Sequence, residues 1–433
     1  MRRFTIAFTV LGLFTAVASA QPAPDVPPPD APALPTTPSI PPTPPDPPKD
    51  PAPPPMADPE VKKEAKPVAG YEKGFFLRSE DGKYSMVLTG RIQPFFNVLR
   101  SSTANAANPD DDIVDYKDTI EVRRARLILE GNLHGKALTY KFQLDFGKGN
   151  PSVKDVHFDV ELHKDVWLRF GQWKRPFSRQ QITSSGRLET TDRAITDKAF
   201  GAGRDVGIAL RNNYEKSPDL EWTVGVFNGT GEAPKLTGPV TVDPVTGMGT
   251  LGATTNTNVP SKFKPAVIGR VGINRNGLKG YSEADLEGGP MRFGVAASVW
   301  LEGDFDDDHK SNHKVEVDYI VKAEGFSTTG GLYAMTDQDG DSVLDAETSL
   351  VGFHLQAGYM ANKHWQPVAR FAWVNDPRQK AKTARDQQEI ALCANYFGAG
   401  HDAKFQGGVR LIKSGEASFA DAILFELGAN VGW

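Results

Sequence analysis

The stretch TIEVRRARLILEG, Thr119 to Gly131, sets Arg123, Arg124 and Arg126 beside Leu127, Ile128 and Leu129. A soluble core rejects unpaired charges, because each would have to leave water. Ile120 and Val122 share one parity, whereas Ala125, Leu127 and Leu129 share the other. This predicts a strand whose alternation slips near Arg123-Arg124, at a β-bulge or at a membrane boundary. With Ala125, Leu127 and Leu129 against lipid, Arg124 and Arg126 face a wet interior. Against lipid, each arginine would cost about 2–4 kcal/mol near the midplane.

The same two-residue period runs through most of the chain. In Tyr84–Val98, the residues Met86, Leu88, Ile92 and Phe96 oppose Ser85, Thr89, Arg91, Gln93 and Asn97. Leu138–Phe146 and Val156–Leu162 alternate in the same way, with Lys141 and Asp145, then His157 and Asp159, on their wet faces. Further strands are expected at Val166–Trp173, Val206–Arg211, Leu220–Asn228, Pro265–Ile273, Phe293–Leu301 and Lys314–Lys322. Others follow at Phe326–Ala334, Leu350–Met360, Trp365–Trp373, Glu389–Phe397, Ala403–Lys413 and Asp421–Trp433. The total is roughly sixteen, an even number within the range of outer-membrane barrels.

Connection lengths alternate as well: short turns such as His134-Gly135-Lys136 and His163-Lys164-Asp165 against long loops, the longest about 229–264. That asymmetry belongs to a barrel with periplasmic turns and extracellular loops. NRNGLKGYSEADLEGG falls on the periplasmic side and is long for a turn. The last strand ends on the aromatic Trp433, resembling the terminal strand recognised in barrel assembly, where phenylalanine is usual. A soluble sandwich also alternates, but a closed barrel satisfies every backbone group and explains charges opposite aromatics. The expected fold is an all-β, transmembrane antiparallel barrel spanning 71–433.

Composition agrees. The 433 residues carry a formal net charge of -5, 33 prolines and one cysteine, Cys393, which excludes an internal disulfide. Arg2-Arg3, an apolar stretch and Ala18-Ser19-Ala20 read as a secretory signal peptide over 1–20. Residues 21–70, dominated by Pro, Ala and Asp as far as Pro67, read as a disordered periplasmic spacer, with cell-wall contact as its functional rival. No run is long and apolar enough for a membrane helix. The acidic balance argues against a nucleic-acid partner. Yet between Thr119 and Arg211 seventeen Lys and Arg face eleven Asp and Glu.

Those basic residues are the candidate site. Arg91, Arg124, Arg126, Lys141 and Arg169 fall on wet strand faces, where Lys and Arg attract anions and replace lost hydration. After the fifth strand, GQWKRPFSRQQITSSGRLETTDRAITDKAFGAGRD carries Lys174, Arg175, Arg179, Arg187, Arg193, Lys198 and Arg204. A sixteen-stranded porin tucks its constriction loop into the lumen at this point. Asp145, Asp159, Glu161, Glu316, Asp318, Glu389 and Glu426 share the lumen by parity, so salt-bridged wall charge is the structural rival.

VRRARLILEG, YKFQLDF, GQWKRPFS and GRDVGIAL, in this order and spacing, resemble the phosphate-selective porin family of Gram-negative outer membranes. The resemblance implies a homotrimer in outer-membrane lipid, with an anion-conducting pore narrowed by inward loops. In that family, wall arginines and constriction lysines handle phosphate. Arg124, Arg126, Lys174 and Arg175 stand within matching motifs. The expected function is therefore passive diffusion of small anions, phosphate or polyphosphate among them. Its rivals are a weakly selective general porin, a structural barrel tethered to the cell wall, and a soluble secreted binding protein.

No enzyme motif or cofactor loop is present. In TDQDGDSVLD, the residues Asp337, Asp339, Asp341 and Asp345 sit at calcium-loop offsets. Ser342 replaces the turn glycine and Thr348 the bidentate acid, which favours an ordinary charged loop.

Overall fold

A computed structural model describes residues 68–103, 113–232, 235–237, 240–242, 248–252, 255–259, 263, 265–302, 312–337, 348–375, 386–414 and 421–433. The signal peptide, the spacer as far as Pro67, and Asp339, Asp341 and Asp345 lie outside these residues.

Sixteen strands build the wall. They are β1 (Ser85–Thr103), β2 (Ile113–Asn132), β3 (Leu138–Asp145), β4 (Ser152–His163), β5 (Val166–Lys174), β6 (Arg204–Arg211), β7 (Leu220–Phe227) and β8 (Ala266–Arg275). There follow β9 (Arg292–Glu302), β10 (Asn312–Ala323), β11 (Phe326–Asp337), β12 (Thr348–Tyr359), β13 (Trp365–Asn375), β14 (Gln387–Ala399), β15 (Ala403–Ser414) and β16 (Ala422–Gly432). Each meets one expected strand. Successive strands pair antiparallel, and β16 returns to β1 from Ala422↔Ser101 to Gly432↔Arg91, closing the barrel. Strands β1 and β2 run further than their apolar pattern, so 101–103 and 113–116, which read as loop, are strand.

Burial is inverted relative to a soluble protein. Along β8, Ala266, Ile268, Arg270 and Asn274 are buried while Val267, Val271 and Ile273 are exposed. In β14, Glu389, Ala391 and Cys393 point inward and Ile390 and Leu392 outward. Only a wall with lipid outside and polar groups inside makes this alternation favourable.

The slip in β2 is a β-bulge. Gln93 pairs with Arg124 and Pro94 with Val122, leaving Arg123 as the extra residue. A bulge sets two successive side chains on one face. Arg123 therefore joins Arg124 and Arg126 inside, its guanidinium 3.9 Å from the Phe95 ring centroid and 2.7 Å from Glu426. At the closure, Trp433 and Gly90 exchange backbone hydrogen bonds of 3.1 Å. A Cβ on Gly90 would stand 2.1 Å from the Trp433 ring, so glycine lets the terminal indole cross β1.

Three features escape the alternation. A short hairpin, Ala69–Tyr71 with Phe75–Arg78, starts inside the range read as spacer and extends the sheet along β1 at Phe75↔Leu88. The loop after β7 carries its own ladders, Lys235–Thr237 with Thr255–Thr257 and Val240–Val242 with Gly249–Leu251. Residues 175–203, between β5 and β6, enter the lumen with two short helices, α1 (Arg179–Ile182) and α2 (Ile195–Phe200).

Candidate permeation path

The inward loop divides the lumen into unequal parts. On one side it packs as a core: Phe177, Ile195 and Phe200 are buried with Trp300, Tyr333, Leu350 and Val374 from the wall. Phe200 stacks on Tyr333 at 5.1 Å, and Phe177 meets Trp300 edge-on at 6.0 Å. Buried carbonyls need donors, and the inward polar residues of β13 to β15 supply them. Lys404 Nζ donates to Leu188 O at 2.6 Å, Asn395 Nδ2 to Glu189 O at 2.7 Å, and Arg370 Nη1 to Asp192 O at 2.8 Å. The charges left on this side neutralise one another. Glu389 lies 2.7 Å from both Arg370 and Arg410; Asp318 lies 2.8 Å from Arg179 and 2.6 Å from Arg270.

Along β2 to β6 the described residues enclose two cavities, one above the other. The extracellular one, about 360 Å³, is lined by eight Lys and Arg against Asp145 and Glu232. Arg123, Arg124, Lys148, Lys154 and Arg193 belong to this side alone. The periplasmic one, about 380 Å³, includes Arg91, Lys141, Arg169 and Arg187, with Ile128, Ile182, Tyr214 and Tyr281. Arg126, Lys174 and Arg204 line both cavities and stand between them.

Counter-ions distinguish these cations. Arg126 Nε donates to Asp145 at 2.8 Å, Arg204 Nε to Asp155 at 2.7 Å, and Arg169 grips Asp159 at 2.7 Å and Glu215 at 2.9 Å. Lys141 is 3.4 Å from Glu130, and Arg124 is 3.4 Å from Asp192. Burial would raise the Asp192 carboxyl, but Arg124, Arg193 and Arg123 pull it down to about 2. By contrast, among the described residues Lys174 Nζ bonds only the carbonyls of Ile182 at 2.9 Å and Thr183 at 3.0 Å. Arg91 likewise bonds, among the described residues, only the hydroxyls of Ser184 at 2.9 Å and Ser185 at 3.0 Å. Arg187 is exposed, with no ion pair among the described residues. Arg91 also stands directly across the β1–β2 ladder from Arg126, a like-charge pairing that costs stability.

Not all of the expected site residues gather here. Arg175 is buried under the loop, bonded to Ala202 O, with its guanidinium 4.3 Å from the Trp300 ring centroid. Arg179 is locked to Asp318 on the packed side. Lys198 is exposed on α2 and lines neither cavity. Sequence reasoning passed over Lys148 and Lys154, in and beside the short β3–β4 connection, and Arg123, whose inward turn depends on the bulge.

A family model described as phosphate-selective porin O and P matches residues 88–393. The chain belongs to that family. It is therefore a channel protein of the Gram-negative outer membrane, not an enzyme. Among solved structures, this porin is similar to a loop-deleted OmpT of Vibrio cholerae, at 11% identity and a TM-score of 0.53, covering 81% of this chain and 100% of that one. The outer membrane channel DcaP of Acinetobacter baumannii is 13% identical, with a TM-score of 0.52 over 82% and 99% of the two chains. OmpF of Salmonella typhi, in complex with daunomycin, is 10% identical, with a TM-score of 0.52 over 84% and 100%. These likenesses show the barrel fold alone. No curated protein matches the chain.

Proposed function

We propose that this porin conducts small anions, phosphate or polyphosphate among them, along the β2–β6 wall, with Arg126, Lys174 and Arg204 at the narrowest point. The observation that carries the reading is the uncompensated charge along this path: of the cations lining the two cavities, Arg91, Lys174 and Arg187 have no carboxylate partner among the described residues. Such cations are free to replace part of a passing anion's hydration. The weakly selective rival draws support from the many lumenal ion pairs, which contribute no net field. Trimeric assembly belongs to the same reading and rests on the family; a detergent-solubilised mass of one chain would remove it.

The test is the reversal potential of purified protein in a planar bilayer under a potassium chloride gradient, followed by phosphate titration. A potential favouring chloride, with phosphate blocking the current, supports an anion channel with a phosphate site. A large current with little preference leaves the general porin, and no current brings the tethered structural barrel forward.

A further inference from the structure

The turn between β8 and β9, unusually long for the periplasmic side, folds up into the lumen. Its residues Leu278, Tyr281, Glu283, Ala284 and Asp285 are all buried. The base is pinned by Arg292, which bonds Asp285 and lies 2.7 Å from Glu287, and by Lys322 Nζ, which donates to Ala284 O at 2.9 Å. Nearer the tip, the Tyr281 hydroxyl donates to Glu221 at 2.7 Å, and Ser282 Oγ lies 2.9 Å from His401 Nε2.

At Glu283 the turn meets the inward loop. The Glu283 N–H donates to Arg187 O at 3.2 Å, and the Glu189 N–H donates back to Glu283 Oε2 at 2.8 Å. These two bonds bracket Leu188, whose side chain is buried. Gln356 Nε2 ties both carboxylates together, 2.8 Å from Glu283 and 2.9 Å from Glu189. The backbone from the Arg187 carbonyl to Glu189 is thus braced from below, while the Arg187 side chain stays exposed in the periplasmic cavity. A cation on a braced backbone acts at a defined point, whereas one on a free loop spreads its field and must be ordered when a solute arrives.

We propose that this periplasmic turn is a second constriction element, in which Glu283 is a positioning residue that holds Arg187 in the anion path. The inference rests on the anion-channel reading above. Neither the charge nor the length of Arg187 distinguishes it from other lumenal cations; its support from the opposite face of the barrel does.

The experiment compares chloride-to-potassium permeability ratios in planar bilayers for wild type, Arg187→Gln, Glu283→Leu, Glu283→Gln and the double variant Arg187→Gln with Glu283→Leu. Arg187→Gln and Glu283→Leu are each expected to lower the ratio about threefold, and the double variant no further, because coupled sites are not additive. Glu283→Gln keeps an acceptor for the Glu189 N–H and is expected to preserve the ratio, which a simple loss of side-chain charge would not. Should Glu283→Leu fail to assemble, Glu283→Asp, one methylene shorter, carries the same expectation. An unchanged ratio in Arg187→Gln or Glu283→Leu, or a double variant whose loss is the product of the two, overturns the inference while leaving a selective wild type intact. A wild type without anion preference overturns the channel reading and the role of Arg187 with it.

Discussion

Two halves of one wall use the same residue types to opposite ends. On β8, β13 and β15, Arg270, Arg370 and Arg410 face carboxylates or loop carbonyls, and the inward loop packs on this side as a core. On β1 and β5, Arg91 and Lys174 face only neutral oxygens among the described residues, beside open cavities. The inventory of lumenal charge is therefore a poor guide to selectivity; what matters is whether each charge has already been answered. Glu389→Leu would break the sealed half most severely, because it strips Arg370 and Arg410 of the carboxylate they share. A cost of about 3–5 kcal/mol is expected from leaving buried charge unpaired. Urea titration of the folded, heat-modifiable band measures it, and a chloride-to-potassium ratio equal to wild type in the surviving channels would keep the two halves functionally separate.

The next prediction cuts across residues that look alike in the sequence. Lys174, Arg175 and Arg179 lie within six positions on one basic segment. Their geometry separates them, since only Lys174 reaches the path. Lys174→Gln is expected to lower the anion preference about tenfold, the scale on which focused lumenal charge acts. Arg175→Gln and Arg179→Gln should leave the preference alone and reduce thermal stability instead. Equal effects of all three on the reversal potential would erase the distinction drawn here.

The strands were legible because lipid outside and water inside impose a strict period of two, and each of the sixteen meets an expected one. The inward destination of Arg124 and Arg126 followed from the same parity. Arg123 was not legible, since a bulge is defined by the partner strand, in this case the pairing of Gln93 and Pro94. Nor was the split among loop cations legible, because the carboxylates that answer them lie far along the chain: Asp318 for Arg179, Asp155 for Arg204. The turn at 276–291 announced itself only by length. Its inward fold depends on Glu221, Gln356 and His401, which no local pattern joins to it.

A pH prediction sharpens the contact between the loop and that turn. Burial, then the neighbouring Glu283 carboxylate, push the Glu189 carboxyl up from 4.5 to about 7. Ser327, Gln356 and Gln366 bond it, while Lys404 and Lys322 stand on the adjoining strands. Because the folded value is raised, the stabilising neutral form is fully present below about pH 4.5 and is lost as pH rises through 7. Above that, two carboxylates press on one another beneath Arg187, and both the brace and the anion preference should weaken. The chloride-to-potassium ratio is expected to fall with a midpoint near pH 7 in wild type and to stay flat in Glu189→Gln. A midpoint that persists in that variant would assign the titration to another group.

The smallest effect carries an opposite sign in the two halves. Arg91 and Arg126 stand directly opposite one another on adjacent strands, and among the described residues Arg91 bonds only serine hydroxyls. Cross-strand like charges cost stability, so Arg91→Gln should raise the unfolding free energy by about 0.5 kcal/mol while lowering the anion preference. The same substitution at Arg179 removes one of the two arginines that answer the buried Asp318 carboxylate, and should lower stability. Urea titrations of the two variants side by side provide the measurement. A gain at Arg91 together with a loss at Arg179 would mean that the open half holds its charge at the expense of the fold, as a site kept for solute does. A loss at both positions would mean that Arg91 is structural, and that the serines of the inward loop answer it as fully as a carboxylate would.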